Sequence, residues 1–288
     1  MGKRRLVLAI AFIAPLTLAT ARADISLTFG VDASDKPSAM VEQLRPTLDL
    51  VEQVASPRLG EPVKIRMRVV RDYQEGVNTL VSGQVDFARL GPASYVQAKQ
   101  KSSAVEILAV EQLKGKKEFN GVICVAADSS LRTIADLRGH SFAFGADDST
   151  IGRYLAQLYL SKNGVQAEDL KSFSYLGRHD RVGEAVASGQ FDGGALEETV
   201  FKQLVQSGAK IRAIATFPNA TKSWVARPGL SMPIRAALTQ GLLAVNDPNA
   251  LAALRFDGFL GGNDRDYDLI RESINENGRF FARRSIGN

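Results

Sequence analysis

The period of the apolar positions switches repeatedly along the chain, from two or a continuous run to about 3.6. Residues 26–31 form an apolar, strand-like run, and 37–54 carry helical spacing with Pro46 as a possible kink. Residues 63–70 alternate charged and apolar side chains, as a half-buried strand does. A helix is predicted at 72–82 with Asp72 as its cap, then a strand at 85–90. Gly91-Pro92 breaks the pattern before a short helix through Lys99. A second set begins near Phe119, with strands at 121–127 and 141–144 and a strongly apolar helix at 149–162. A strand at 172–176, a helix at 179–188 and a strand at 192–196 follow. From Trp224 onward helical patterns dominate, at 233–245 and 267–277.

Such alternation predicts an α/β fold of mostly parallel sheets flanked by helices. No low-complexity linker separates the two sets, so crossing strands are expected to join two lobes, with a ligand cleft between them. The boundaries read as 24–120 with 222–288 for lobe one, and 121–221 for lobe two.

One internal similarity bears on that cleft. Tyr73 precedes Ser82-Gly83-Gln84-Val85-Asp86 by the same distance that His179 precedes Ser188-Gly189-Gln190-Phe191-Asp192. Two lobes of like construction would place these helix starts on opposite cleft walls. The plainer alternative is good helix-stop and turn chemistry that recurs by chance.

The N-terminus changes the reading of charge. Lys3, Arg4 and Arg5 precede an apolar run from Leu6 to Leu18, and Ala21-Arg22-Ala23 follows, the order of a cleavable secretory signal peptide over 1–23. The run is shorter than the roughly 20 residues that span a bilayer. Cleavage after Ala23 would release the chain into the periplasm. The whole chain carries 36 Lys+Arg and 31 Asp+Glu, or +5; four of the cations (Lys3, Arg4, Arg5, Arg22) leave with the peptide, so the remainder is near +1. The basic excess therefore belongs to targeting and gives no reason to expect a nucleic-acid partner. Cys124 is the only cysteine, so no intrachain disulfide forms.

The sharpest local signal is Phe144-Gly145-Ala146-Asp147-Asp148-Ser149-Thr150-Ile151-Gly152, between a predicted strand and helix. Unpaired N–H groups, the positive end of the helix dipole and two hydroxyls there suit an oxyanion, although Ser149 and Thr150 are also ordinary capping residues. His179 opens a helix outside any apolar period and could donate to an anionic oxygen. Glu197 and Glu198 end a strand; one of them could accept the proton of a P–OH group while the other opens the next helix.

Enzymatic readings lack their parts. Two scattered histidines and one cysteine give no metal spacing, and no Walker A sequence, dinucleotide fingerprint or nucleophile elbow occurs. No catalytic residue, cofactor or metal is expected. Cys124, between apolar neighbours, reads as a buried strand residue with a raised pKa rather than a thiolate that captures a soft, arsenic-type ion.

With these residues the chain resembles the periplasmic phosphonate-, phosphite- and phosphate-binding proteins of ABC transporters, type II in fold. The resemblance runs from Phe29-Gly30 to about Arg227 and rests on several motifs in order. These are Tyr73, Gly83-Gln84-Val85-Asp86-Phe87-Ala88, Gly91-Pro92-Ala93-Ser94-Tyr95, Asp136-Leu137-Arg138-Gly139, Ser149-Thr150-Ile151-Gly152 and His179-Asp180. It implies that Ser149, Thr150 and His179 contact a phosphorus oxyanion, that Tyr73 lines the cleft from the other lobe, and that Glu197 or its neighbour Glu198 matches an acidic contact; Tyr95 and Lys222 are further candidates for the site. It further implies a small anionic ligand, a monomeric receptor, and a membrane permease or, alternatively, a sensor kinase as partner. The sequence departs from the family at Ile151 and Leu90, and at Lys222, where an acidic residue is expected. The added cation points to a more highly charged oxyanion or to a ligand with an acidic substituent.

Overall fold

The computed structural model describes residues 24–32 and 37–282. The expected leader with its cleavage point after Ala23, and the end of the chain from 283, lie outside those residues. The first group of elements is β1 (Ile25–Asp32), α1 (Pro37–Leu59), β2 (Val63–Val70), α2 (Tyr73–Val81), β3 (Phe87–Leu90), α3 (Pro92–Lys101) and β4 (Glu106–Glu111). The second opens with β5 (Glu118–Ala126), β6 (Ser141–Phe144) and a π-helical turn (Thr150–Leu155) that leads into α4 (Ala156–Lys162). It continues with β7 (Ser172–Tyr175), α5 (His179–Ala187), β8 (Gly193–Glu197), α6 (Glu198–Gln206) and β9 (Ile211–Ala220). Last come β10 (Ser223–Ala226), α7 (Met232–Leu243), α8 (Pro248–Leu254), β11 (Phe259–Leu260), α9 (Asp268–Asn275) and α10 (Asn277–Phe281).

The strands form two sheets, ordered β2-β1-β3-β10-β4-β11 and β7-β6-β8-β5-β9. In the first, β1 pairs parallel with β2 and β3, and β10 runs antiparallel to β3 and β4. In the second, β6 pairs parallel with β7 and β8, and β5 runs antiparallel to β8 and β9. Both sheets therefore share one feature, in that the strand which enters from the other sheet, β10 or β5, runs against its neighbours; β11 at the edge of the first sheet is also antiparallel, to β4. The crossing segments lie side by side: Glu111 N–H donates to Lys222 O at 3.0 Å, and Thr221 N–H donates to Lys117 O at 2.9 Å. The return crossing lies at Lys222 and the outward one at 112–117, because Glu118 to Asn120 already pair with β9.

The internal similarity has a structural counterpart. Gly83 and Gly189 follow α2 and α5 with φ of 76° and 75°, the left-handed conformation that ends a helix cheaply only at glycine. Asp86 and Asp192 then accept the backbone N–H of Thr28 and Ser141, each at 2.8 Å, and so set the register of the neighbouring parallel strand. Tyr73 and His179 are the first residues of the matched helices.

Two expectations need correction. Helix α1 runs on to Leu59 through Pro46 and Pro57, because Leu44, Leu48, Val51 and Ala55 keep one face fully buried. The assignment of 222–288 to lobe one fails at its end. α7 and α8 do pack on α1, but α10 packs on α4, and Phe280 inserts between Phe144 (5.6 Å) and Phe173 (6.1 Å) of the second sheet. The apolar Phe280 finds its core there rather than in lobe one.

At the crossing, Arg89 and Glu111 form a buried two-pronged ion pair, with Nε to Oε1 at 2.5 Å and Nη2 to Oε2 at 3.0 Å. Trp224 Nε1–H donates to the same carboxylate at 3.0 Å and stacks on Phe29 at 4.7 Å. The Arg89 and Glu111 side chains are 2% and 0% exposed, so removing either strands a charge in the core. Glu111→Ala is expected to lower unfolding stability by about 3–5 kcal/mol in urea titrations. A loss below about 1 kcal/mol would show that the pair does not hold the crossing.

Candidate functional site

Parallel strands present their C-terminal ends, and the helix starts that follow them, at one edge of a sheet. Here the two sheets turn those edges toward each other, and the first residues of five helices line one cavity between them. They are Tyr73 of α2, Pro92 and Ser94 of α3, Thr150 and Ile151 of the π turn, His179 of α5, and Thr199 of α6. Each start carries unpaired N–H groups and the positive end of a dipole. The walls are completed by Arg89, Asn219 and Lys222 near the crossing, and by Met40, Phe119, Arg255 and Phe256 beyond it.

Ser149 and Thr150 are both buried. Ser149 Oγ accepts from Gly152 N–H at 3.1 Å, the ordinary cap of its helix. Thr150 Oγ1 accepts from Ala93 N–H of the first lobe's α3 at 2.9 Å, a bond across the cleft. With each oxygen accepting internally, the hydroxyl protons are left to donate, which suits a guest that only accepts. The turn depends on close backbone contact: a Cβ on Gly152 would lie 2.6 Å from Gly145 Cα. Its first residues are π-helical rather than the α-helix expected from the sequence.

His179 Nδ1 is buried without a hydrogen-bond partner, and so is Oδ1 of Asn219, a residue only 1% exposed. Buried polar atoms are seldom left unpaired, so two of them on one cavity wall point to a polar guest. Burial pushes the His179 pKa below its ordinary value, Lys222 adds to that, and Glu197 and Asp180 oppose it. Glu197 lines the cavity, whereas Glu198 opens α6, pairs with Lys202 at 2.7 Å and accepts from Asn120 Nδ2 at 3.1 Å.

The cavity thus gathers Tyr73, Ser149, Thr150, His179, Glu197 and Lys222. Tyr95 does not belong with them. Its ring is 1% exposed and packs on Tyr267 at 4.5 Å, and its hydroxyl donates to Asp264 at 2.7 Å. One turn into α3, the side chain points to the core behind the helix rather than to the cleft. Sequence reasoning missed Asn219 and Arg89; an arginine inside an otherwise apolar strand was the available signal for the second. Cys124 is buried in β5 with its pKa pushed up to about 12 by desolvation, so no thiolate is available there. No group of three or more His, Cys, Asp or Glu suited to a metal occurs among the described residues.

Residues 29–267 match the family model described as ABC transporter, phosphonate, periplasmic substrate-binding protein. A probable ABC transporter phosphite-binding protein of Prochlorococcus marinus (strain MIT 9301), PhnD1, is 26% identical over 61% of this chain. A putative aliphatic sulfonates-binding protein of Escherichia coli (strain K12) is 30% identical over 56%. The chain spans 62% and 49% of the length of these two curated relatives. Among solved structures, PhnD1 from Prochlorococcus marinus (MIT 9301) in complex with methylphosphonate has a TM-score of 0.76 at 21% identity, over 88% of this chain and 98% of that one. A binding protein component of an ABC phosphonate transporter from Pseudomonas aeruginosa has a TM-score of 0.74 at 20% identity, over 89% and 88%. At these identities the structural likeness establishes the two-lobed fold.

Gly152→Ala tests the cradle, because the new methyl group must push the helix start away from Gly145. The variant is expected to keep its circular dichroism spectrum and to lose at least about tenfold in affinity for the oxyanion that the site takes, measured by calorimetry, consistent with one displaced charge-assisted hydrogen bond.

Proposed function

The chain belongs to the family of periplasmic substrate-binding proteins of phosphonate ABC transporters, and on that premise we propose that it captures a small phosphorus oxyanion and delivers it to a membrane permease. The chain is exported by removal of 1–23 and works as a monomer. The observation that carries the reading is the convergence of five helix starts on a single interlobe cavity, with the Ser149 and Thr150 hydroxyls left as donors. The oxyanion first meets the lobe-two turn at Ser149 and Thr150. Closure then brings α3 and Tyr73 of lobe one against it, with the Ala93–Thr150 hydrogen bond as part of the closed state. Glu197 accepts the proton of a P–OH group, which disfavours fully ionised competitors such as sulfate. No bond is made or broken in this cycle.

Two tests follow. In a thermal-shift screen against phosphate, phosphite, methylphosphonate and sulfate, a true ligand raises the melting temperature in proportion to RT ln(1 + [L]/Kd). Each hydroxyl donating to a charged oxygen contributes about 1.5–3 kcal/mol, so Ser149→Ala with Thr150→Ala is expected to weaken binding by at least a hundredfold. Unchanged binding would sink the site.

The second test is pH. The folded pKa of His179 lies below the ordinary 6.5, so the free protein holds a neutral imidazole at pH 7. A bound oxyanion favours the imidazolium and raises that pKa. Affinity is therefore expected to increase as pH falls through the bound-state pKa, and to level off below the free-state one. Without ligand the sign is the reverse for stability. The unfolded chain takes up the proton first, so His179 makes the fold less stable as pH drops below about 6.5. His179→Gln should flatten both profiles over that window; a profile as steep as the parent's would assign the titration elsewhere.

A further inference from the structure

The charges on the cavity wall are unevenly matched. Arg89 is neutralised by Glu111, and Asp180 is held by Arg178 at 2.7 and 3.0 Å. Asp148 has a partner of its own. That leaves Lys222, Arg255 and Glu197, none of which has an ion pair or side-chain hydrogen bond among the described residues. Lys222 is the most constrained of the three. Its carbonyl accepts from Glu111 N–H in the crossing, and Thr221 N–H beside it donates to Lys117 O, so the backbone that carries the ammonium is fixed at the floor of the cleft. Arg255 stands at the exposed rim, on a left-handed residue (φ 64°) that ends α8.

The helix starts already supply a positive field at the Ser149–Thr150 end of the cavity. Against that background one carboxylate, Glu197, faces two unpaired cations, and the ligand has to balance the difference. Part of the cavity wall is apolar, with Met40, Phe119 and Phe256 all buried and Phe119 set edge-on to Phe256 at 6.0 Å. A ligand with an oxyanion head, a short hydrocarbon chain and a second anionic group would set its apolar atoms against this lining and its second charge at Lys222.

We propose that Lys222 sets the sign of charge on the ligand's substituent, so that the preferred ligands are phosphonates with a carboxylate tail and those with an ammonium tail are rejected. This rests on the phosphorus-oxyanion reading above and narrows it. The physical ground is simple: an ammonium tail beside a half-buried Lys222 places like charges together in a partly desolvated cleft, whereas a carboxylate gives Lys222 the partner it lacks. Arg255 at the rim adds attraction for the approaching anion, which is expected to weaken with salt.

The experiment is calorimetry at fixed pH and salt with three ligands that share a two-carbon chain: 3-phosphonopropionate, ethylphosphonate and 2-aminoethylphosphonate. The expected order of affinity is carboxylate, then methyl, then ammonium, with at least a tenfold gap between the first and last. Lys222→Glu is expected to invert the order of the two charged ligands. The readout is their ratio, so a uniform loss of affinity does not count as support. Equal or tighter binding of 2-aminoethylphosphonate by the parent overturns the inference, and so does a ratio unmoved in Lys222→Glu of native melting behaviour. If the tails make no difference but phosphate binds tightly and depends on Lys222, the second charge belongs to the head group and the proposal is wrong. Binding of ethylphosphonate keeps the phosphorus reading standing in all these cases. If none of the three ligands binds the folded parent, that reading falls and this inference with it.

Discussion

The Arg89–Glu111 pair stands where the two crossing segments meet, and both the position of the lobes and the shape of the cleft depend on it. Glu111 is the last residue of β4 before the chain leaves the first sheet, and its carboxylate receives Arg89 from β3 and the Trp224 indole from β10 on the return. Its backbone N–H meanwhile holds Lys222. Glu111 thus joins β3 and the returning strand through its carboxylate and the cavity floor through its backbone. A buried ion pair is a weak source of net stability against an apolar alternative, but a strong constraint on geometry once the surrounding core has formed around it. That suits a hinge, where the lobes must move as bodies while the segments between them keep their register.

From the hinge outward, the chemistry of the cleft follows from strand direction. Because β1, β3, β6 and β8 are parallel members of their sheets, the helices that follow or precede them start at the facing edges. Converging helix starts favour negative charge in the space between them without any one residue having to supply a full positive charge. Arg89 and His179 fit that arrangement. The arginine is neutralised by Glu111, and burial disfavours the charged form of the imidazole. The cavity brings one carboxylate, Glu197, together with hydroxyl and amide donors.

Much of this was legible in the sequence where local rules dominate. Strands β2 and β6 fall where alternation and apolar runs place them, and Asp72 caps α2 through its bond to Glu75 N–H. The matched Ser-Gly-Gln-x-Asp turns have a structural cause, since both glycines adopt left-handed φ and both aspartates cap a neighbouring strand. What was not legible depends on partners far along the chain. Strands β4, β10 and β11 exist because they pair with one another, and β11 is only two residues long. Helix α6 has no fully buried residue, so it leaves little apolar periodicity to detect. Tyr95 follows a site-like motif, but which way its ring turns was decided by Tyr267 and Asp264, well over a hundred residues away.

The two lobes share a plan but not a chemistry, and the difference orders events in the cleft. At matched helix starts the first lobe offers the Tyr73 phenol and the second the His179 imidazole. Only the second lobe adds a turn whose backbone is compressed against Gly145 and whose two hydroxyls are turned into donors. Ser149's cap is internal to that lobe and is therefore present whether the cleft is open or shut. Thr150's bond to Ala93 spans the lobes and exists only when they meet. A guest captured by the permanent half of the site would bring the temporary half into place, so that binding and closure would form one equilibrium.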